Sequence, residues 1–303
     1  PKGATLETRI QLANNLRSQL SNLPISQACD AIVQHIYLLR SKVPKSNYMG
    51  LHQESSLSAT DLRKLYKQNS KRAFQIITQN ISADIYPKTE DVVSYYSTKS
   101  IERPIHPEVG GLPVNQGPIL SFPKITQDRL CEIIKKLSKK RSAPGRSNIT
   151  YADILYCDPD LSLHVELFNS ILETGIIPDS WREFETLLIP KPMKQGHYGD
   201  VSSWRPIALL DCQYKLFTSV LASVIHQWCL HNKLLHPLQK SLGPFDGCTE
   251  HNFLIRAIFD KYANQLNNRP IHSLFLDIAD AFGTISVEVI LDLLFRMGLS
   301  THA

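Results

Sequence analysis

Apolar positions at the start of the chain recur three or four residues apart. Leu6, Ile10, Ala13, Leu16 and Leu20 share one face of a 3.6-residue period, which predicts an amphipathic helix. The period resumes through SATDLRKLYKQNSKRAFQII (58–77), with Ser58 or Thr60 placed to cap it. Residues 1–100 therefore read as a helical N-terminal extension. RPIHPEVGGLPVNQGPILSFPK (103–124) then gathers five prolines and three glycines, too many for regular helix. Residues 101–125 accordingly read as a linker or extended arm.

From there the pattern alternates between helix and strand. Thr126 can cap a helix whose apolar face is Leu130, Ile133, Ile134 and Leu137. ETLLIPKP (185–192) reads as a strand broken by prolines, with Lys191 between them, and WRPIALLD (204–211) as a second extended segment. Asp211 can cap a long helix with Tyr214, Phe217, Leu221, Val224, Ile225 and Trp228 as its buried stripe. A Gly-rich turn precedes another amphipathic helix, with Leu254, Ile255, Ile258, Phe259 and Tyr262 inward. Residues 272–277 read as a buried strand, followed by a helix with Val287, Ile290, Leu291 and Leu294, stopped by Gly298. Helices flanking a few strands predict an α+β layer fold.

Composition narrows the class. The chain has 303 residues, 43% hydrophobic and 20% charged, as in an ordinary globular protein and unlike a disordered tail. Its net charge of +5 is compatible with a polyanionic partner without establishing one. Six cysteines are scattered with no C-x-x-C pair, which argues against a disulfide framework or zinc ribbon and for reduced intracellular thiols. No apolar run is long enough for a membrane span, so no membrane partner is expected. The chain opens on Pro1 and closes on Ala303 just after a helix, which reads as a piece of a longer polypeptide.

Charge is concentrated on the helix after Thr126. Lys135, Lys136, Lys139 and Lys140 continue into Arg141 and Arg146, either as a phosphate-tracking face or as a solvated lysine face. Cys229, His231 and His236, and Cys248 with His251, lack paired-ligand zinc spacing. There is no G-x-S-x-G, H-E-x-x-H or Walker A pattern, which removes the common hydrolase and P-loop readings. In SLFLDIADAFGTI (273–285) an apolar run ends on Asp277, with Phe282 at a fixed offset. Alone, an Asp ending a strand is a turn or cap residue.

Seven segments, in order, resemble the reverse transcriptases of non-LTR retrotransposons. LYKQNSKRAFQII and TEDVVSYY are similar to the family's segment upstream of the polymerase. ITQDRLCEIIKKLSKKRSAPG resembles its basic helix and Ser-Ala-Pro-Gly turn. FNSILETGIIPDSWREFETLLIPKP and SSWRPIALLDCQYKLFTSVLASVI resemble its fingers motifs. LQKSLGPFDGCTEHNFL is most similar to the subgroup that includes site-specific elements, and FLDIADAFGTI to the first palm motif.

The resemblance implies a fold and a set of roles. Residues 126–303 would be a partial reverse transcriptase domain, the fingers and beginning of a right-hand palm with a core from about residue 170, stopping before the second palm motif and thumb. Asp277, helped by the carbonyl of Ile278, would hold magnesium, a hard ion that takes carboxylate oxygens. Phe282 would lie under the sugar of the incoming nucleotide and exclude a 2′-hydroxyl. Lys191 and Arg205 would reach the triphosphate. Gln239 and the 243–247 turn would approach the template, and Lys135, Lys136, Lys139, Lys140 and Arg141 would contact nucleic acid. Trp204 is read as core. The implied partners are an RNA template, a DNA primer or target and dNTPs, and the implied location is the nucleus.

The chain also departs from the pattern. Gly283 stands where an Asp is usual, Asp280 where Lys is common, and Ser147 where an acid usually follows the Pro-Gly turn. No adjacent Asp-Asp pair occurs, so the second palm motif is missing and this chain by itself is expected to be inactive. Two further readings are a non-catalytic RNA-binding remnant of a decayed element and a group II intron maturase relative; Cys248–His251 and the upstream helices argue against the latter.

Overall fold

The structure, a computed structural model, describes residues 4–40, 87–99, 119–139, 142–191, 199–236, 238–240, 246–265, 271–277 and 286–299. The helix expected over 58–77 lies outside these residues. The chain divides into two compact units, 1–98 with 123–220, and 99–122 with 221–303.

Unit 1 is mostly helical. Thr5 accepts from the Thr8 N–H (3.2 Å) to start α1 (Leu6–Leu20), with Glu7 in the first turn and Arg17 in the last to suit the helix dipole. Helix α2 (Ile25–Arg40) buries Ile25, Ala28, Cys29, Ile32, Ile36 and Leu39, all on one helical face. A shorter helix, α3, spans Thr89–Lys99. Thr126 caps α4 (Gln127–Ser138) as expected, and Leu130, Ile133 and Ile134 are buried. A reciprocal Thr150–Asp153 capping box opens α5 (Tyr151–Cys157). Helix α6 (Ser162–Thr174) ends at Gly175, whose φ of +70° is a left-handed cap that favours glycine.

The two strands expected from the sequence pair with each other. β1 (Glu185–Pro190) and β2 (Trp204–Leu209) form an antiparallel two-stranded sheet in which Leu187 faces Ile207 and Pro190 faces Trp204. Helix α7 (Cys212–His231) follows. Mixed helix and strand of this kind fit the α+β class.

The core of unit 1 lies where α1 packs on α6, α2 on α5 and α6, and α4 on α5 and α6. Leu130, Ile134, Ile154, Leu163 and Leu167 are among its fully buried side chains. Each contributes about 1.5–3 kcal/mol relative to an exposed position. Phe168, Trp181 and Phe217 make an aromatic cluster, with Phe168 and Phe217 centroids 5.2 Å apart and Trp181 and Phe217 5.8 Å apart. Trp204 is buried, in agreement with its reading as core. The buried stripe of α7 is shifted from expectation. Cys212, Gln213, Leu216, Phe217, Val220 and Cys229 are buried, whereas Tyr214, Leu221, Val224, Ile225 and Trp228 are only half-buried.

In unit 2 the helices form where their period predicts, but their faces are not covered by the described residues. Leu254, Ile258 and Phe259 of α8 (Gly247–Gln265) are exposed, contrary to the expectation that they point inward. Helix α9 (Val287–Met297) starts with Ser286 accepting from the Val289 N–H (3.3 Å) and ends at Gly298, as expected, yet Val287, Ile290 and Leu291 are exposed. Leu120, which is buried, donates its N–H to the Gly298 carbonyl (2.8 Å).

The strand expected over 272–277 is not formed. Residues 271–277 carry no regular element, and Leu274, Phe275 and Leu276 are 82%, 74% and 87% exposed. The physical reason is that a strand has no internal hydrogen bonds: without a neighbour its apolar alternation has nothing to pair with or pack against.

Candidate nucleic-acid and nucleotide interface

The basic face of α4 is built by periodicity. Burial of Leu130, Ile133 and Ile134 turns Lys135, Lys136 and Lys139 to solvent, and spacings of three and four residues keep these lysines on one side. Lys140 and Arg141, the other members of the expected basic run, lie outside the described residues. Arg146 is committed elsewhere, in an ion pair with Glu183.

Beyond α4 the chain makes a turn that is held on several sides. Tyr37 O–H of α2 donates to the Ser147 carbonyl (2.8 Å), and Arg40 Nη1 donates to the Asn148 carbonyl (2.9 Å). Asn148 has φ +53°, a left-handed conformation that Asn tolerates better than most residues. Ser147 donates from both N–H (3.1 Å) and Oγ (2.7 Å) to Asp211 Oδ1, and Lys215 Nζ donates to the Ala143 carbonyl (2.6 Å). Asp211 thus opens α7 through its carbonyl, which accepts from the Lys215 N–H (2.9 Å), while its carboxylate reaches across to Ser147. The sequence indicated the cap and not the cross-contact.

The β1–β2 hairpin brings Lys191 and Arg205 together. Arg205 is opposite Ile189, and the ladder runs one step past β1, where the Lys191 N–H donates to the Ser203 carbonyl (2.9 Å). Alternation along both strands therefore puts Lys191 and Arg205 on the same face as diagonal neighbours. Arg205 is exposed; Lys191 is half-buried, its Nζ donating to the Ser202 carbonyl (2.7 Å). A shallow cleft of about 360 Å³ elsewhere in unit 1 is lined by Asp91, Ser94, Tyr95, Gly199, Asp200 and Val201. Its two carboxylates do not suit a phosphate.

Asp277 and Gln239 belong to unit 2, and both are exposed. Gln239 donates its N–H to the His236 carbonyl (2.8 Å). Ile278 and Phe282 lie outside the described residues. Asp277 offers the hard oxygen that magnesium takes. Among the described residues, however, no three His, Cys, Asp or Glu side chains converge to hold a metal. That donor set does not by itself fit a two-metal centre.

One buried polar array was not anticipated from the sequence. Asp158 Oδ2 accepts from the His164 N–H (3.1 Å) and lies 2.7 Å from His164 Nδ1; on the other side of the ring, His164 Nε2 is 3.2 Å from Gln213 Nε2. All three side chains are buried. Burial pushes the Asp158 carboxyl up, but hydrogen bonding to His164 and the charge of that ring outweigh it and hold the carboxyl below its ordinary value. The array joins the loop after α5, the first turn of α6 and the first turn of α7, so it bears on the scaffold rather than on an exposed site. All six cysteines are free, and burial pushes Cys29 and Cys157 up to about 12, leaving unreactive thiols. Among the described residues no helix is long and apolar enough to cross a membrane.

No protein-family model matches the chain. It is similar to three curated proteins. It is 29% identical over 160 residues to the retrovirus-related Pol polyprotein from type-1 retrotransposable element R2 of Popillia japonica, a match covering 53% of this chain and 21% of that protein. Over 168 residues it is 30% identical to the RNA-directed DNA polymerase from mobile element jockey of Drosophila funebris (53% and 17%). Over 175 residues it is 26% identical to the probable RNA-directed DNA polymerase from transposon BS of Drosophila melanogaster (55% and 18%). The matches thus cover about a fifth of the length of these relatives. The resemblance to non-LTR retrotransposon polymerases, drawn from the motifs, is shared with all three.

Proposed function

We propose that this chain is the fingers and the beginning of the palm of a retrotransposon reverse transcriptase, the part that holds template and incoming nucleotide. The similarity to three RNA-directed DNA polymerases carries the reading. The hairpin supports it chemically, because Lys191 and Arg205 share one face. The exposed lysines of α4 supply a face for phosphates.

The parent reaction would join a primer 3′-oxygen to the α-phosphorus of a dNTP. The bond from that phosphorus to the bridging oxygen breaks, pyrophosphate leaves, and the hydroxyl proton passes to water. Negative charge grows on the departing oxygens, and Lys191 and Arg205 are the cations this chain would place against it. Gln239 would approach the template, Asp277 would contribute one carboxylate beside Ile278, and Phe282 would sit under the sugar. Magnesium, when bound, supplies Lewis-acid stabilisation of that charge. The described residues do not complete its site.

The test is direct binding. Purified chain titrated with a fluorescein-labelled oligouridylate should give an affinity that falls linearly in log K against log salt. Replacing Lys135, Lys136, Lys139 and Lys140 by Gln should flatten that slope by up to about 0.7 for each phosphate no longer neutralised. A slope unchanged by the four substitutions returns α4 to a solvated lysine face, and no affinity even at low salt removes the nucleic-acid reading.

A further inference from the structure

Residues 142–150, which lead into α5, belong to no helix or strand, so their position depends on a few tie points. The first turn of α7 supplies the closest of them. Asp211 Oδ1 accepts from Ser147 N–H (3.1 Å) and Ser147 Oγ (2.7 Å), and Lys215, one turn further on, donates Nζ to the Ala143 carbonyl (2.6 Å). Between these two grips Gly145 lies directly on the backbone. A Cβ there would be 2.6 Å from both Asp211 N and the Leu210 carbonyl carbon. Asp211 itself comes two residues after the end of β2, the strand that carries Arg205. One carboxylate therefore ties the turn at Ser147 to the junction between β2 and α7.

We propose that Asp211 is a positioning residue for polyanion binding, fixing the segment that follows the α4 lysines against the β2–α7 junction so that a bound strand meets both. The inference rests on the reading of α4 as a nucleic-acid face. Ser147 is the chemical complement of that acid. Its hydroxyl donates to Asp211 and accepts from the Ile149 N–H (3.3 Å), a dual role open to a hydroxyl and closed to a carboxylate. An acid at 147 would face Asp211 as a like charge. Ser147, not an acid, is therefore the side chain that suits Asp211 across this contact.

The experiment is an exchange of the pair in the 303-residue chain, read with the labelled oligouridylate and by amide hydrogen exchange. Ser147→Asp and Asp211→Ser should each weaken binding about fivefold or more and flatten the salt slope although every lysine remains. The double exchange should recover most of the loss, because the side-chain hydrogen bond is remade in the reverse direction. The Ser147 amide should lose protection in Asp211→Ser. If that variant does not fold, Ser147→Ala, which removes only the hydroxyl, carries the same comparison. Single variants that bind with the wild-type slope, or a double exchange no better than the singles, would overturn the positioning role while leaving α4 as the binding face. A wild-type chain with no salt-dependent affinity would overturn both.

Discussion

Asp158 Oδ2 and His164 Nδ1 are 2.7 Å apart in the interior of unit 1, with neither side chain in contact with solvent. A buried carboxylate is costly unless it is paired, and here it accepts from both the ring and the backbone N–H of the same residue. On the other side of the ring, His164 Nε2 lies 3.2 Å from Gln213 Nε2. Three elements are thereby held by one chain of hydrogen bonds.

The first prediction concerns acid. The folded Asp158 carboxyl lies below its ordinary value of 3.8, so its contribution is present above that value and is lost as pH falls through the lower folded one. The melting temperature should therefore drop as the pH is taken below about 4. Asp158→Asn should be less stable at neutral pH and lose that acid-dependent part. Truncation to Ala, which leaves the ring without its carboxylate, should cost about 3–5 kcal/mol. An Asp158→Asn protein with the wild-type melting profile across pH would contradict the assignment.

His35 gives a second pH effect in a different window. Burial lowers its titration from the usual 6.5, although its Nε2 lies 3.3 Å from the Cys157 carbonyl. The unfolded chain then takes up a proton before the folded one does, so stability should decline as pH drops below about 6.5. His35→Gln, which keeps a donor and cannot be charged, should remove this decline. Thermal melts at half-unit pH steps, with the two proteins compared, decide it.

Gly145 tests close packing at the junction with α7. A methyl group there meets backbone atoms of Leu210 and Asp211 at 2.6 Å, and backbone cannot swing aside as a side-chain end can. Gly145→Ala should destabilise unit 1 by about 1–3 kcal/mol. Gly175→Ala meets nothing within 4 Å but sits at φ +70°, so its cost is conformational, about 1 kcal/mol. Urea melts that rank the two the other way would mean the junction is looser than these distances.

How far the sequence could be read depended on how local the cause was. Thr126 and the Leu130, Ile133, Ile134 face were legible because cap and period lie within a dozen residues. Gly298 was legible for the same reason. β1 and β2 were legible as two extended apolar runs, whereas their pairing with each other emerged only in the structure. Residues 272–277 show the same apolar pattern without a partner among the described residues, and pattern alone makes no strand. Leu254 and Phe259 show that a correct helix does not reveal what covers its face. Asp158, His164 and Gln213 gave no warning. Two are six residues apart and the third is brought in from α7, so only tertiary structure makes them an array.

The last prediction addresses the hairpin as the nucleotide-facing part. Lys191 Nζ is held by the Ser202 carbonyl at 2.7 Å, a single neutral acceptor that a triphosphate oxygen can replace with a stronger, charge-assisted bond. Arg205 is exposed on the same face, so its guanidinium is placed to join it. In calorimetric titrations with dTTP, Lys191→Met and Arg205→Met should each lower affinity about tenfold, since a hydrogen bond to a charged group is worth about 1.5–3 kcal/mol. Their effects should not add, because diagonal neighbours share one ligand. Arg205→Met should leave the melting temperature nearly unchanged, as surface substitutions do. Lys191→Met should lower it slightly, by leaving Ser202 without that donor. If both variants bind dTTP like the wild type and remain folded, the triphosphate does not lie on this face, and the two cations serve only the hairpin.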